Sequence, residues 1–257
     1  MTIPTAVDVP DLLTAGSVAG ADRPLLTYYD DVTGERTSLT AVELGGWAAR
    51  TAGLLRDGCG LAAGSRAAVL LPPHWQTAAV LLGAWAAGVA VSYRGWATAG
   101  LSNAGPGADE PLDVSFVARH RVDSWLDDPP EATHRFVLDL GPAGAPPAEP
   151  PVGYRDFLTE VRRYPDSLPP YAAVRRSDPA SVDGTSYRQW GDLALAIAEW
   201  SDLRRGDRVL VDAAEHDEPV KWLLAPLAAG ASVVVCANLD RDRLDDRVAA
   251  EQITRVL

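Results

Sequence analysis

Lysine and cysteine are scarce in this sequence, and basic residues are fewer than acidic ones. Each of these shortages argues against particular classes of function. Lys221 is the single lysine, and Cys59 and Cys236 are the two cysteines. Two isolated cysteines predict reduced thiols, as in a cytoplasmic protein, and they lack the paired spacing of a zinc site. The net charge of -12 at pH 7 argues against nucleic acid or an anionic membrane as the main partner, because both bind a basic face.

Long hydrophobic runs are missing too, although 47% of the 257 residues are hydrophobic, which is enough for a sizeable core. The apolar run at 78–91 is interrupted by two glycines, so we expect no membrane-spanning helix. Residues 1–10 have neither the basic region nor the apolar core of a secretory signal. We therefore predict a cytoplasmic protein with no nucleic-acid or membrane partner.

One segment of the sequence occurs twice. Residues 64–69 return as residues 206–211, an offset of 142 residues that holds without a gap through two repeat cores, 64–93 and 206–235. Each core has two short apolar runs, separated by an apolar stretch of helical length and a glycine. Runs that are apolar throughout are typical of parallel strands covered on both faces. We therefore predict an α/β fold of two pseudo-repeated β-α-β lobes with mostly parallel sheets.

Local signals place the elements of the first core and the ends of both core helices. We predict strands at 66–71 and 89–93, with a helix at 75–87 between them. Gly88 and Gly230 follow the two core helices, where a left-handed C-cap favours glycine.

Capping-box patterns predict one further helix before each core. Thr40 and Ser186 each stand three residues before a Glu or a Gln, which is typical of a helix N-terminus. The predicted helices run over about 40–56 and 186–201. After the first core, residues 114–117 are an apolar run that predicts another strand.

The domain organisation follows from the repeat. Residues 1–140 form the predicted first lobe and residues 181–257 the second. Residues 141–180 form a predicted linker rich in proline, glycine and alanine, with a short amphipathic helix at 153–164. A strand at 253–257 completes the second lobe at the last residue, which favours a finished two-lobe protein.

Several segments carry a family resemblance. They are residues 36–40 with 43–44, residues 64–72, residues 82–91, and residues 205–211 with 224–235. Together they resemble the opening part of adenylate-forming, AMP-binding enzymes, the superfamily of acyl-CoA synthetases, luciferases and nonribosomal-peptide adenylation domains. Within it, the sequence is similar to a group of short actinobacterial proteins. The resemblance implies the two-lobe N-terminal core of those enzymes and, as possible ligands, AMP or ATP.

The phosphate loop of that superfamily is poorly matched. Its place corresponds to residues 180–189, where Gly184, Thr185 and Ser186 alone match, with no lysine and no second glycine. Asp183 adds negative charge where the phosphates lie in the superfamily. The resemblance therefore implies weak binding of a triphosphate.

The later motifs of the superfamily have no counterpart in this sequence. They are the adenine-binding segment, the Tyr-Gly-x-Thr-Glu element, the ribose-binding aspartate and the C-terminal lid with its catalytic lysine. Adenylation needs positive groups to stabilise the phosphates as pyrophosphate leaves. We therefore assign no catalytic residue and no metal site, and we expect a protein that is not an adenylating enzyme.

Two histidines offer a different chemistry. His74 and His216 occupy equivalent repeat positions after the first strand of each core, next to Trp75 and Asp217. In parallel sheets, ligands bind beyond the carboxyl ends of the strands, and histidine serves as a base or an anion ligand. One hypothesis is a ligand cleft shared by these four residues. The alternative is that each histidine caps its own helix.

Three functions from different classes therefore stay open. The first is a catalytically inactive relative that binds a small acyl or nucleotide-like ligand, or a protein partner. The second is one part of a split acyl-adenylate or acyl-CoA ligase, and the third is an unrelated enzyme that uses the histidine cleft. We also expect a homodimer through apolar side chains of the last strand, Ile253, Val256 and Leu257.

Overall fold

A computed structural model describes residues 23–93, 111–122, 124, 129–142, 144, 149–167 and 174–257. Contacts group the chain into two compact units: unit 1 comprises Met1–Leu44 and Ser186–Leu257, and unit 2 comprises Gly45–Thr185. The predicted division followed the order of the chain, with residues 1–140 in the first lobe and residues 181–257 in the second. In the structure, the N-terminal residues group with the second repeat.

The secondary structure alternates between strands and helices along the chain. In order, the elements are β1 (Pro24–Asp30), β2 (Glu35–Thr40), α1 (Ala41–Gly53), β3 (Arg66–Leu70), α2 (Trp75–Ala86), β4 (Ala90–Tyr93), β5 (Leu112–Ala118), α3 (Arg119–Val122), β6 (Ala132–Leu138), β7 (Arg155–Asp156), α4 (Phe157–Val161), α5 (Tyr187–Trp200), β8 (Arg208–Asp212), α6 (Ala225–Ala229), β9 (Ser232–Ala237), α7 (Leu244–Ala250) and β10 (Arg255–Val256). A π-helical turn, Leu54–Gly58, follows α1, and another, Val220–Leu224, leads into α6. A 3-10 turn, Arg241–Arg243, precedes α7.

The sheet of unit 1 has the order β10-β8-β9-β1-β2. Its strands are parallel except for β2, which is antiparallel to β1. The pairing of β1 with β9, for example Leu26 with Val233, explains why the N-terminal strands belong to unit 1. Leu210, Val234 and Cys236 form a buried cluster in this sheet.

The sheet of unit 2 has the order β4-β3-β5-β6-β7, and all its strand pairs are parallel. Phe116 of β5 stacks on Phe136 of β6 with ring centroids 5.3 Å apart. Phe157 of α4 meets Phe116 edge-on at 5.8 Å. Helix α2 is buried from Trp75 to Trp85, which fits its lack of a polar face.

The predicted fold class is confirmed: two mostly parallel α/β sheets carry the two copies of the repeat. Each core has its strand, helix and strand where the sequence placed them. Gly88 and Gly230 have φ angles of 79° and 74°, the left-handed conformation expected after each helix. The two capping-box helices are present as α1 and α5.

Two predicted elements are shorter than expected. The predicted helix at 153–164 is reduced to α4, because Asp156 lies in β7 and its side chain caps α4 by accepting a hydrogen bond from Thr159 N at 2.7 Å. The predicted strand at 253–257 is reduced to β10, because Ile253 N donates to Val248 O and closes the C-terminal end of α7 instead of pairing with a strand. Within the residues that the structure describes, no helix is long and apolar enough to cross a membrane.

Candidate functional site

The loop at the predicted phosphate-loop position is closed by its own hydrogen bonds. The amides of Ala180 and Ser181 both donate to Thr185 O, at 2.8 and 3.1 Å. Gly184 N donates to Ser181 O at 3.0 Å, and Thr185 N donates to the Asp183 carboxylate at 2.9 Å. A phosphate-binding loop instead points its amides at the ligand. These amides are already used inside the loop.

The same loop is fixed to the sheet of unit 2. Val91 N in β4 donates to Ala180 O at 2.9 Å, and Val182 N donates back to Val91 O at 3.3 Å. The indole of Trp85, which is buried in α2, also donates to Ala180 O, at 3.0 Å. Opening the loop to admit a phosphate would break several of these bonds together.

Gly184 and Ser186 have structural roles of their own. Gly184 has φ 88°, and a Cβ atom built there would meet nothing within 4 Å. Glycine is therefore favoured here by the left-handed backbone of the turn, and not by the close approach of a neighbouring residue. Ser186 forms the predicted capping box of α5: its hydroxyl accepts from Gln189 N at 3.4 Å, and the Gln189 side chain accepts from Ser186 N at 2.8 Å.

His74 is a buried helix cap in unit 2. Its side chain is 0% exposed, and Nδ1 accepts a hydrogen bond from Gln76 N at 3.1 Å at the start of α2. Its ring centroid lies 5.7 Å from that of Trp75, which in turn lies 5.3 Å from Trp47. The contacts of His74 therefore match the capping alternative, and Trp75 belongs to the apolar core.

His216 differs from its repeat counterpart. Its backbone N donates to Asp212 O at 3.0 Å, just after β8 in unit 1. The π-helical turn that follows begins only at Val220, after Pro219, so His216 does not cap it. His216 and Asp217 are both partly exposed. These two residues belong to unit 1 and His74 and Trp75 to unit 2, so the shared cleft stays a prediction.

A carboxylate that the sequence analysis did not single out, Glu251, lies at the centre of a buried polar network in unit 1. Its oxygens accept hydrogen bonds from Tyr29 Oη at 2.5 Å and from the Arg36 guanidinium at 2.9 Å, and it forms an ion pair with Arg208. Burial raises the pKa of Glu251, but the hydrogen bonds from Tyr29, Arg208 and Arg36 outweigh it and lower the pKa to about 2. Its sequence context, an Ala-Ala-Glu-Gln helix end, gave no signal of this.

Metal binding has no support in the described ranges. There, no group of three or more histidine, cysteine, aspartate or glutamate side chains is arranged to hold a metal ion. Arg241 forms ion pairs with the carboxylates of Asp212 at 3.0 Å and Glu215 at 2.6 Å.

Sequence comparison identifies a relative that aligns from end to end. No established protein-family profile matches the chain. A protein of Mycobacterium tuberculosis strain H37Rv, described as a TIGR03089 family protein, is 41% identical over 266 residues. The alignment covers 100% of this chain and 100% of the relative.

Structure comparison identifies larger enzymes with the same fold. The acetoacetyl-CoA synthetase from Streptomyces lividans matches with a TM-score of 0.73 at 19% identity, over 97% of this chain and 42% of that one. The Brucella canis acyl-CoA synthetase matches with a TM-score of 0.68 at 17% identity, over 98% and 47%. The anthranilate CoA ligase AuaEII, solved with anthranoyl-AMP, matches with a TM-score of 0.64 at 18% identity, over 97% and 48%. The chain therefore has the fold of the N-terminal domain of acyl-CoA synthetases and spans about half their length.

Proposed function

Because the chain belongs to the TIGR03089 family and has the fold of adenylate-forming ligases, we propose that it is a catalytically inactive member of that fold. Its role is to bind a small acyl or nucleotide-like ligand without adenylating it. The observation that carries this proposal is the closed loop at the phosphate-loop position. There, the amides of Ala180, Ser181, Gly184 and Thr185 are already used by internal acceptors.

The electrostatics support the same conclusion. Stabilising a leaving pyrophosphate needs concentrated positive charge. The only lysine, Lys221, lies in the π-helical turn before α6 and forms an ion pair with Glu218 at 2.9 Å. In the loop itself, the one charged side chain between Ala180 and Ser186 is the carboxylate of Asp183. Such a loop repels phosphate rather than attracting it.

An ATP–pyrophosphate exchange assay with a panel of carboxylic acids tests the loss of catalysis. We expect no acid-dependent exchange by the full chain, because the amides of Ala180, Ser181, Gly184 and Thr185 already donate inside the loop. An acid that drives exchange above the no-acid background would overturn the proposal.

Ligand binding needs its own measurement. Thermal unfolding is followed with AMP, CoA and a non-hydrolysable acyl-adenylate analogue. A ligand at about 100 times its Kd stabilises the folded chain by about 2.7 kcal/mol, a rise of several degrees in midpoint. A rise in the unfolding midpoint with any of the three ligands supports the binding role. If none of them raises the midpoint, binding of a protein partner is the hypothesis that remains.

A second candidate is one part of a split acyl-adenylate or acyl-CoA ligase. The chain covers 42% to 48% of three solved synthetases and ligases of the same fold. On this alternative, a separate chain supplies the missing motifs. We then expect exchange activity when the chain is purified together with its natural partners, and none when it is purified alone. Equal inactivity of both preparations counts against it.

The proposed homodimer would form at the free edge of the unit 1 sheet. In the described residues β10 pairs only with β8, and Val256 of β10 is 53% exposed. An exposed apolar edge strand is commonly covered by a second copy. Light scattering at micromolar concentration should give the mass of two chains, and Val256→Lys should return the mass to one. A single-chain mass for the unchanged protein contradicts the dimer.

A further inference from the structure

Unit 1 contains a cavity of about 590 Å³ at the edge where its parallel strands begin. Pro24, Arg208 and Ser232, the first residues of β1, β8 and β9, all line it. Ligands of parallel sheets usually bind at the opposite edge, beyond the carboxyl ends. Neither the loop residues nor the two histidines described above line this cavity. Its volume lies within the range of small-molecule pockets.

Two exposed arginines, Arg23 and Arg205, line this cavity. In the part of the chain that the structure describes, neither forms a hydrogen bond or an ion pair with another side chain. The stem of Arg205 lies beside Gly230, where a built Cβ atom would be 3.5 Å from Arg205 Cγ. Gly230 also has φ 74°, a backbone conformation that favours glycine, and its built Cβ atom would be at ordinary contact distance from the Arg205 stem.

The other charged groups of the cavity wall are already paired. Arg208 forms an ion pair with Glu251 and donates to Thr27 Oγ1 at 3.0 Å. The Asp207 carboxylate accepts hydrogen bonds from Thr254 Oγ1 and from Arg204 N, both at 2.8 Å. The charges of Arg208, Glu251 and Asp207 are thus compensated by the protein. Among the residues that the structure describes, Arg23 and Arg205 have no such partner.

We propose that this cavity binds a small organic anion, with Arg23 and Arg205 holding its phosphate or carboxylate group. A guanidinium presents paired N–H donors that match the oxygens of either group. Leu25, Ala41 and Ala250 give the cavity an apolar side for the rest of the ligand. The protein has a net charge of -12. Two arginines of the same cavity wall that pair with no described carboxylate therefore create a local positive potential that attracts anions. The inference goes beyond the proposed function, because an active and an inactive chain can both carry this site.

Calorimetric titration of the full chain with two probes tests the site and separates the two chemistries. The probes are inorganic pyrophosphate and citrate, in a low-salt buffer free of other multivalent anions. We expect saturable binding of at least one probe with one site per chain. Binding of pyrophosphate alone assigns a phosphate ligand, and binding of citrate alone assigns a carboxylate ligand. No binding of either probe at millimolar concentration overturns the proposal.

Arginine variants locate the binding. Arg23→Gln and Arg205→Gln should each lower the affinity for the probe by about tenfold, since each removes a charged group with paired N–H donors. Arg204→Gln is the matched control: this arginine is exposed, lies next to Arg205 and pairs with Asp202 at 3.0 Å outside the cavity. It should leave affinity unchanged. Equal affinity of Arg205→Gln and the unchanged chain, or equal weakening by Arg204→Gln, overturns the assignment.

A measurement on the unchanged protein removes any dependence on how the variants fold. Phenylglyoxal modifies accessible arginines, and mass spectrometry reports each site. The bound probe should protect Arg23 and Arg205 but leave Arg204 reactive. Uniform protection of all three, or none, contradicts the site. Neither result depends on the exchange assay, so the two proposals fail separately.

Discussion

The two copies of the repeat have the same order of elements but are stabilised by different chemistry. In unit 2 the core around α2 is apolar and aromatic, with Phe116 stacked on Phe136. In unit 1 the sheet carries buried ion pairs, Arg247 with Asp31 and Arg208 with Glu251. The repeated pattern therefore determines where strands and helices lie, while the groups that hold them together have diverged.

Breaking the ion pair of Arg247 should have the largest effect on unit 1. Its guanidinium lies 2.6 Å from Asp31 Oδ1, and the two side chains are 7% and 6% exposed. Arg247→Met removes the nearest cation of this buried carboxylate and leaves it the amide of Asp240 and the more distant Arg243, at 4.0 Å. We expect a cost of about 3 kcal/mol, the lower end of the range for a broken buried ion pair. Urea unfolding, with hydrogen exchange to assign the loss to unit 1, measures the effect.

The matched control for Arg247 is an exposed pair of the same type. Arg204 and Asp202 form a contact at 3.0 Å with 71% and 58% of their side chains exposed. Arg204→Met should leave the free energy of unfolding nearly unchanged, because solvent screens such a pair. If Arg204→Met and Arg247→Met lowered the free energy of unfolding by similar amounts, burial of the Arg247–Asp31 ion pair would not explain the stability of unit 1.

Helix packing in unit 2 gives the next largest effect. A Cβ atom at Gly83 in α2 would lie 2.4 Å from Thr51 Cβ and 2.6 Å from Ala48 O in α1. Gly83→Ala must push the two helices apart, at a cost of about 1 to 3 kcal/mol. The equivalent position of the second copy already holds alanine, Ala225. Chemical unfolding of both Gly83→Ala and Ala225→Gly sharpens the comparison.

The reverse change at Ala225 should cost about 1 kcal/mol, since glycine is a poorer helix former. The reason for the loss then differs between the copies: overpacking at Gly83 and helix propensity at Ala225. A stabilising Gly83→Ala would mean that α1 and α2 do not approach as closely as described.

Acid should weaken unit 1 through Glu251. Its pKa falls from an ordinary 4.5 to about 2 in the folded chain. A carboxyl whose pKa is lowered by folding stabilises the fold above its unfolded pKa, and this contribution is lost as pH falls through the folded one. Unfolding midpoints measured from pH 6 down to 2 should therefore decline below about pH 4.5.

Glu251→Gln tests the source of that decline. The variant should be less stable than the unchanged chain at pH 6, and its midpoint should fall less steeply between pH 4.5 and 2. Parallel curves for the two proteins would assign the acid sensitivity to other groups. Asp31 is one of these, because its hydrogen bonds with Arg247 also lower its pKa.

Sequence reasoning predicted most of the fold, because its signals were local. The apolar runs of the two cores, Gly88, Gly230 and the capping box at Ser186 each constrain neighbouring residues. The grouping of β1 with β9 was not predictable in this way, since strand pairing across some 200 residues depends on tertiary contacts.

The candidate sites were harder to predict for the same reason. The absence of lysine from residues 180–189 and the presence of Asp183 there indicated a loop that binds phosphate weakly. The bonds that close the loop, from Val91 and Trp85, come from distant elements. Likewise, the Glu251 network joins residues from four separate elements, and no local spacing relates Tyr29 to Arg208.

The smallest expected effect separates the two histidines. His74→Ala removes the acceptor of Gln76 N and should cost about 1 kcal/mol or more, whereas His74→Asn keeps a capping side chain and should cost less. His216→Ala removes no cap and should change stability by less than about 0.5 kcal/mol. Unfolding curves of the three variants measure this difference. Equal costs for His74→Ala and His216→Ala would contradict the difference between a capping and a non-capping histidine.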